Sequence, residues 1–212
     1  MGEIRSLRQG EQIHRPLVAF DFDGTLTIRD SYTGFLAWRA GLLDFGLGLL
    51  SLAPDFVAYL KRPDRGRLKA AATKRFLAGV SQSEIETDAQ HFATLFAPTL
   101  FRPDAMRVWR HWQGKGAHLI IVTASPELIV SPFARGLGAA TLIGTRLAVD
   151  GDGRLTGDFE GPNCRGPEKV ARLRAIFGDD LRLEAAYGDT DGDREMLEIA
   201  EEAGFKVFQG KR

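Results

Sequence analysis

The stretch that decides the fold is L-V-A-F-D-F-D-G-T-L, residues Leu17–Leu26. Its apolar beginning, Leu17–Phe20, is typical of a buried strand in a parallel sheet. Asp21 and Asp23 follow, and their side chains point the same way on an extended chain because they are two residues apart. Gly24 then allows a sharp turn of the backbone. This arrangement favours a functional role, because two close carboxylates repel each other unless a cation or a shared proton lies between them.

Further apolar runs alternate with helical patterns along the rest of the chain. The predicted strands are His118–Thr123, Thr141–Gly144, Leu183–Tyr187 and Phe205–Phe208. Helices are predicted from about Pro126 and over Lys169–Phe177. Alternation of this kind predicts an α/β fold, a three-layer domain with a Rossmann-like parallel sheet.

Two other segments complete the predicted architecture. Residues 31–97 have a helical pattern throughout, with a capping box at Ser81 and Glu84 that indicates a helix start near Gln82. This insertion after the first strand is too long for an ordinary crossover, so we interpret it as a helical cap. Residues 145–159 surround Asp-Gly-Asp-Gly, which is typical of a β-hairpin. The chain is therefore divided into a catalytic core, 14–30 and 98–212, and a cap, 31–97.

Polar groups follow three of the predicted strands. Asp21, Thr123 and Gly188-Asp189 each stand at a carboxyl end of a strand, which is where open parallel sheets bind ligands. We therefore expect these three segments to meet in one place.

The acidic run Y-G-D-T-D-G-D, Tyr187–Asp193, could in principle be a calcium loop. Counted from Asp189, however, the sixth position is Arg194 rather than Gly, and the twelfth is Ala200 rather than Glu. The run is better interpreted as a second metal-facing turn. Oxygen ligands from two loops, together with water and phosphate, suit Mg²⁺.

Composition limits the remaining function classes. Lys and Arg total 28, as do Asp and Glu, so the chain lacks the basic excess that is usual in nucleic-acid binding. Cys164 is the only cysteine, which excludes an internal disulfide and a cysteine metal cluster. The N-terminal residues lack a secretory apolar core, so we expect a cytoplasmic location. The apolar segment 41–60 contains Asp44, Pro54 and Asp55, which favours packing within the cap over contact with a membrane surface.

Four sequence motifs together resemble those of haloacid-dehalogenase-like hydrolases. They are F-D-F-D-G-T-L at 20–26, V-T-A-S at 122–125, Lys169 at the start of a helix, and G-D-T-D-G-D at 188–193. The cap position and the hairpin resemble the phosphoserine-phosphatase-like branch, subfamily IB. The stretch N-C-R-G-P-E-K-V at 163–170 resembles less characterised bacterial members of this branch, and its G-x-E-K-V part is similar to a stretch in bacterial phosphatidylglycerophosphate phosphatases.

The resemblance implies a role for each motif residue. Asp21 would be the nucleophile that forms an aspartyl-phosphate, and Asp23 would be the general acid and base. Thr123 would hydrogen-bond a phosphate oxygen. Lys169 would stabilise the phosphate and the nucleophile, with Arg165 as its rival if the motif alignment slips.

The resemblance also implies a magnesium site. Asp21 and the backbone carbonyl of Asp23 would bind the ion together with Asp189. Asp193 would support either the metal or Lys169. Ser125 could contact phosphate or cap the helix that follows it.

Substrate recognition is expected to come from the cap. Asp30 aligns with an acidic residue that holds the amino group of phosphoserine in that branch, but it could equally be a helix N-cap. Lys74 and Arg75 fall near the stretch where that branch keeps an arginine for the carboxylate of phosphoserine, but their place on a helix favours solvation of both side chains.

Two substrate classes and one different function stay open. The first class is a small phosphorylated metabolite of the phosphoserine kind, and the second is a lipid head-group phosphate. The different function is that of a magnesium-binding regulatory module without turnover. The oligomeric state does not follow from the sequence.

Overall fold

A computed structural model describes residues 15–53, 56 and 65–210 of the chain. The predictions for residue 14 and for residues 54–55 and 57–60 of the apolar segment lie outside the described residues. In chain order, the strands are β1 (Leu17–Phe20), β2 (His118–Pro126), β3 (Thr141–Thr145), β4 (Leu147–Val149), β5 (Leu155–Phe159), β6 (Leu183–Gly188) and β7 (Ala200–Phe205).

Five of these strands form a parallel sheet in the order β3-β2-β1-β6-β7. β1 lies in the middle, paired with β2 on one side and β6 on the other. Its residues Val18, Ala19 and Phe20 are fully buried, which explains why this strand is an unbroken apolar run. The α/β class and the parallel sheet predicted from the sequence are confirmed.

The helices are α1 (Ser31–Ala40), α2 (Leu42–Ser51), α3 (Arg65–Leu77), α4 (Gln82–Leu100), α5 (Pro103–Gly114), α6 (Glu127–Leu137), α7 (Pro167–Phe177) and α8 (Arg194–Glu198). The first four follow β1 and its turn, at the place of the predicted cap. The backbone N–H of Glu84 donates to Oγ of Ser81 at 3.2 Å, which confirms the predicted start of α4.

Aromatic side chains join the cap to the core. Phe92 of α4 lies 6.0 Å from Phe133 of α6, measured between ring centroids. Phe133 in turn lies 5.6 Å from Phe22, which follows the nucleophile candidate Asp21. The turn after β1 is therefore anchored in an apolar cluster that cap and core share.

The hairpin of β4 and β5 also fastens the cap. The backbone N–H of Gly79 donates to the carbonyl of Leu155, and the N–H of Leu155 donates to the carbonyl of Val80. The hairpin is packed tightly on α3, since a Cβ on Gly157 would lie 2.8 Å from Cα of Lys74.

The last strand differs from its prediction. Phe205–Phe208 was expected to be a strand, but β7 covers Ala200–Phe205 and the chain leaves the sheet at Lys206, where φ is 54°. β7 is an edge strand with exposed Glu201 and Glu202, so it lacks the apolar run that predicts a buried strand. Over the residues that the structure describes, no helix is both long and apolar enough to span a membrane.

Candidate active site

The site residues predicted from the four sequence motifs meet at the carboxyl ends of β1, β2 and β6. The backbone N–H of Asp21, directly after β1, donates to the carbonyl of Tyr187 in β6 at 2.9 Å. Gly24 adopts a left-handed backbone with φ of 85°, and a Cβ there would lie 2.3 Å from Oδ2 of Asp189. Glycine is needed at this turn for both reasons, because a side chain would be strained and would displace the carboxylate of Asp189.

Lys169 lies at the centre of the site. Its Nζ donates to Oδ1 of Asp21 at 2.7 Å, to Oδ1 of Asp193 at 2.6 Å and to the carbonyl of Val122 at 2.6 Å. The side chain is 1% exposed, so burial opposes its charge, but the two carboxylates raise the pKa of Lys169 above its usual value. The ammonium therefore stays charged in the interior.

The nucleophile candidate is under opposing electrostatic influences. Burial raises the pKa of Asp21 to about 7, against the effect of Lys169, and the nearby charges of Asp193 and Asp23 act in the same direction as burial. Burial also raises the pKa of Asp189. The positive charge of Lys169 alone therefore does not balance the negative charge of the carboxylates at this site.

Three carboxylates are placed to share a metal ion. Oxygen atoms of Asp21, Asp189 and Asp193 all lie within 4.8 Å of one another. Thr25 donates from its hydroxyl to Asp21 at 3.2 Å and to Asp189 at 3.3 Å, and so holds these two carboxylates side by side. Oxygen donors with a surplus of negative charge fit a hard cation such as Mg²⁺.

Asp193 differs from the other two carboxylates because it accepts four hydrogen bonds. Oδ1 accepts from Lys169, while Oδ2 accepts from the backbone N–H of Asp189, at 3.2 Å, and from the N–H and hydroxyl of Thr190, each at 2.9 Å. Despite burial, Lys169 and these donors lower the pKa of Asp193. Of the two roles expected for Asp193, this geometry favours the orientation of Lys169 and of the turn at Asp189.

Asp23 faces the cap instead of the carboxylate cluster. Its Oδ1 accepts from the backbone N–H of Ser31 at 2.7 Å, and its Oδ2 accepts from the hydroxyl of Ser125 at 2.5 Å. Burial raises the pKa of Asp23, as does the nearby charge of Asp30. A carboxyl group with a raised pKa, beside the nucleophile but away from the cation site, suits a proton donor and acceptor.

Thr123 and Ser125 lie in β2 and line the same cavity. Oγ1 of Thr123 accepts from the backbone N–H of Ser125 at 3.0 Å, which leaves its hydroxyl proton available for a phosphate oxygen. The idea that Ser125 caps the following helix is wrong, because Pro126 is the N-cap residue of α6 and makes no side-chain cap. The hydroxyl of Ser125 is directed to Asp23 instead.

A cavity of about 720 Å³ opens above these residues, between core and cap. Asp30 lines it and also accepts from the N–H of Thr33 at 2.6 Å, so it is both cavity wall and helix N-cap. Lys74 and Arg75 do not line it, because both are exposed, and Nε of Arg75 donates to Ser51 instead. The structure therefore does not bring these two expected substrate ligands to the site.

Among the described cap residues, Lys69 is the cation that lines the cavity, and the sequence pattern did not predict it. Its Nζ donates to the carbonyl of Ala124 at 3.1 Å and to Oγ of Ser125 at 3.2 Å, and it lies 5.3 Å from the ring centroid of Tyr32. Helical spacing offers a signal: Lys69 shares a face of α3 with the buried Thr73, four residues on, whereas Lys74 and Arg75 lie on other faces.

Arg165 also lines the cavity, next to the acidic turn. A Cβ on Gly192 would lie 2.6 Å from Cγ and 2.8 Å from Cζ of Arg165, so the arginine side chain fills the space above this glycine. Lys169 and Arg165 thus have different positions, one inside the carboxylate cluster and the other in the cavity wall.

The fold and the site together bring a buried aspartate, a buried lysine and a group of carboxylates that could hold a cation to one edge of the parallel sheet. A family model described as haloacid dehalogenase-like hydrolase matches residues 18–198. The chain belongs to this family.

The chain is also similar to individual proteins and to a solved structure. The chain is 59% identical over 203 residues to protein CicA of Caulobacter vibrioides, covering 95% of this chain and 91% of CicA. It is 30% identical to a phosphoserine phosphatase of Halobacterium salinarum, covering 87% and 82%. A solved structure from Bordetella pertussis, of unknown function, is 26% identical with a TM-score of 0.72, covering 87% and 86%. The chain is an enzyme, a phosphatase of the haloacid dehalogenase-like family.

Proposed function

We propose that the protein is a Mg²⁺-dependent phosphomonoester hydrolase that acts through an aspartyl-phosphate on Asp21. The observation that supports this most is the contact of the buried Lys169 with Asp21. Beside this contact, carboxylate oxygens of Asp21, Asp189 and Asp193 lie close enough together to hold a cation. A carboxylate approaches an anionic ester only where positive charge offsets the repulsion, and these residues would hold that charge.

In the first half of the reaction, an oxygen of Asp21 attacks phosphorus while the bond to the leaving alcohol breaks. Asp23 donates a proton to the departing oxygen, and Thr123 hydrogen-bonds a phosphoryl oxygen. The three N–H donors of Lys169 are held by Asp21, Asp193 and Val122, and its charge stabilises the nucleophile and the phosphoryl group. Asp21, Asp189 and the backbone carbonyl of Asp23 would hold Mg²⁺, which neutralises charge on the transferring group.

In the second half, water attacks the phosphorus of the aspartyl-phosphate and the bond to Asp21 breaks. Asp23, now a carboxylate, takes a proton from this water, so one residue serves both steps in opposite directions. The hydroxyl of Ser125 and the N–H of Ser31 hold Asp23 in place for both transfers.

Two substrate classes remain within this proposal. A small phosphorylated metabolite of the phosphoserine kind is supported by Asp30 and Lys69 in the cavity wall, although Lys74 and Arg75 contribute nothing there. A lipid head-group phosphate is supported by the apolar cap residues that line the rest of the cavity. A cytoplasmic location stays a prediction.

The test is hydrolysis of p-nitrophenyl phosphate with and without Mg²⁺, by the parent protein and by Asp21→Asn. We expect activity that requires Mg²⁺ and falls by a factor of ~10³ or more in the variant, since the nucleophile is removed. Asp191→Asn is the matched control, because this aspartate of the acidic turn is exposed and ion-paired only with Arg194. Full activity in Asp21→Asn, or no activity in the parent, would refute the proposal, and the latter result would favour a regulatory module.

A further inference from the structure

The cavity has two chemically different ends. Its floor, on the core side, carries Asp21, Asp23, Thr123 and Ser125. Its walls, on the cap side, are mostly hydrocarbon from α1, α2 and α3, including Leu36, Phe45, Leu49, Leu52, Leu68 and Phe76. A phosphate group bound at the floor therefore places the rest of the molecule against apolar side chains.

Several polar groups in the described part of the cap wall already have hydrogen-bond partners. Lys69 is bonded to Ala124 and Ser125, both in β2, and Asp30 accepts from Thr33. Higher in the cap, the hydroxyl of Tyr32 is hydrogen-bonded to the buried Thr73. Among the residues that the structure describes, the part of the wall that faces a leaving alcohol is thus mostly apolar, and a polar group placed there would lose hydrogen bonds that it made to water.

The apolar wall continues to the protein surface. Leu50 lines the cavity and is also 72% exposed, and Leu49 and Phe56 share both properties. On the same helix, Leu47 is 61% exposed but does not line the cavity. The cavity volume of about 720 Å³ lies within the roughly 300–1,000 Å³ that is usual for ligand sites, so it accepts far more than a phosphate group.

We propose that the alcohol part of the substrate is a hydrocarbon, an aliphatic chain or an aromatic ring, carried on a single phosphate monoester. This inference rests on the proposed phosphatase function and chooses the apolar class over the phosphoserine kind. The energetic reason is that each buried methylene strengthens binding about fourfold, provided that the wall it contacts is apolar.

The test is a series of n-alkyl phosphates from ethyl to octyl, kept monomeric in solution, with phosphoserine as the polar comparison. We expect kcat/KM to rise about fourfold per methylene until the chain fills the cavity, and phosphoserine to fall below butyl phosphate. A flat series with measurable turnover would overturn the inference but leave the proposed function intact.

Measurements of ligand binding, which do not require turnover, separate the two proposals further. Calorimetry with ethyl- and hexylphosphonate, in Mg²⁺, is expected to show tighter binding of the longer ligand by at least tenfold. Equal affinities would overturn the inference even if no ester were hydrolysed.

A pair of variants on α2 locates the effect. Leu50→Glu is expected to lower the ratio of octyl to ethyl phosphate turnover at least fivefold, whereas Leu47→Glu leaves this ratio as in the parent. Equal effects of both variants, or none from Leu50→Glu, would contradict the assignment. Vesicles that contain a phosphate-bearing lipid then distinguish the source of the hydrocarbon ester. Turnover of the vesicle lipid as well as of the soluble esters identifies a membrane lipid as the substrate. Turnover of the soluble esters alone identifies a free ester.

Discussion

The ammonium of Lys169 lies 2.7 Å from Oδ1 of Asp21, although the two residues are 148 positions apart in the chain. Two contacts create this relationship. The N–H of Gly166, just before α7, donates to the carbonyl of Gly192 at 2.8 Å, which ties the start of α7 to the acidic turn. The N–H of Asp21 donates to Tyr187, which ties the nucleophile to the strand before that turn.

Replacement of Lys169 by Met tests the energetic role of this contact. It would leave Asp21 and Asp193 buried beside each other without their common cation, and such a loss destabilises a protein by about 3–5 kcal/mol. Urea unfolding at pH 7 measures the change. Lys74→Met, on an exposed position of α3, is the control and is expected to change stability by less than about 0.5 kcal/mol. Adding Asp193→Asn to Lys169→Met should recover part of the loss, and parent-like stability of Lys169→Met would contradict the argument.

Replacement of Asp23 by Asn tests the aspartyl-phosphate. p-Nitrophenolate leaves without a proton, so the first step continues, but the second step lacks the base that activates water. We expect a burst of about one product per enzyme, followed by a steady rate lowered roughly 10²–10⁴-fold. Stopped-flow absorbance measures both phases. A parent-like steady rate would show that Asp23 does not serve the second step.

Magnesium affinity should depend on pH. Burial raises the pKa of Asp21 to about 7, and the protonated carboxyl is a poor ligand. As the pH falls below 7, the affinity should therefore drop by up to about tenfold per pH unit, and above 7 it should level off. Calorimetric titration with Mg²⁺ at pH 6 and pH 8 measures this. Equal affinities at the two pH values would show that Asp21 does not ligate the ion.

The same pKa has a consequence for folding. Because the pKa of Asp21 is raised from its usual value of 3.8 to about 7, the folded state binds more protons than the unfolded state between these values. Without Mg²⁺, this group therefore lowers stability as the pH rises from about 4 to 7, and Mg²⁺ should remove that loss. Thermal unfolding with and without Mg²⁺ is the measurement, and a Mg²⁺-induced rise in Tm that is no larger at pH 8 than at pH 5 would contradict it.

We expect Gly192 to be required for substrate binding, because the side chain of Arg165 fills the space above this glycine. An alanine Cβ would lie 2.6 Å from Cγ of Arg165, so Gly192→Ala forces the arginine side chain to move. If Arg165 contacts substrate, both Gly192→Ala and Arg165→Met raise KM, and the double variant is no worse than Arg165→Met alone. Steady-state kinetics of the three variants measures this. Additive effects would show that the glycine acts on something other than Arg165.

Much of the core followed from sequence pattern. The apolar runs that became β1, β2, β3 and β6 are largely buried, so their residues carry a strong signal. β7 was misplaced because an edge strand needs no such run. Asp21, Asp23, Thr123 and Asp189 were predicted to meet because the carboxyl ends of parallel strands share one edge.

The orientation of the cap helices could not be predicted from the sequence pattern. Residues 31–97 were predicted to be helical, but helical spacing leaves the rotation and tilt of each helix open. That rotation turns Lys69 into the cavity and leaves Lys74 and Arg75 outside it. It also sets Leu49 and Leu50 in the cavity wall while Leu47 stays outside it.

By itself, the sequence determined the parallel sheet, the inserted helices and the acidic turns, because these depend on local periodicity and on the order of segments along the chain. The tertiary structure decided the partner of each charged group: Lys169 between Asp21 and Asp193, Ser125 on Asp23, and Arg165 over Gly192. These pairings depend on distances between segments far apart in sequence, which are fixed only when the core packs.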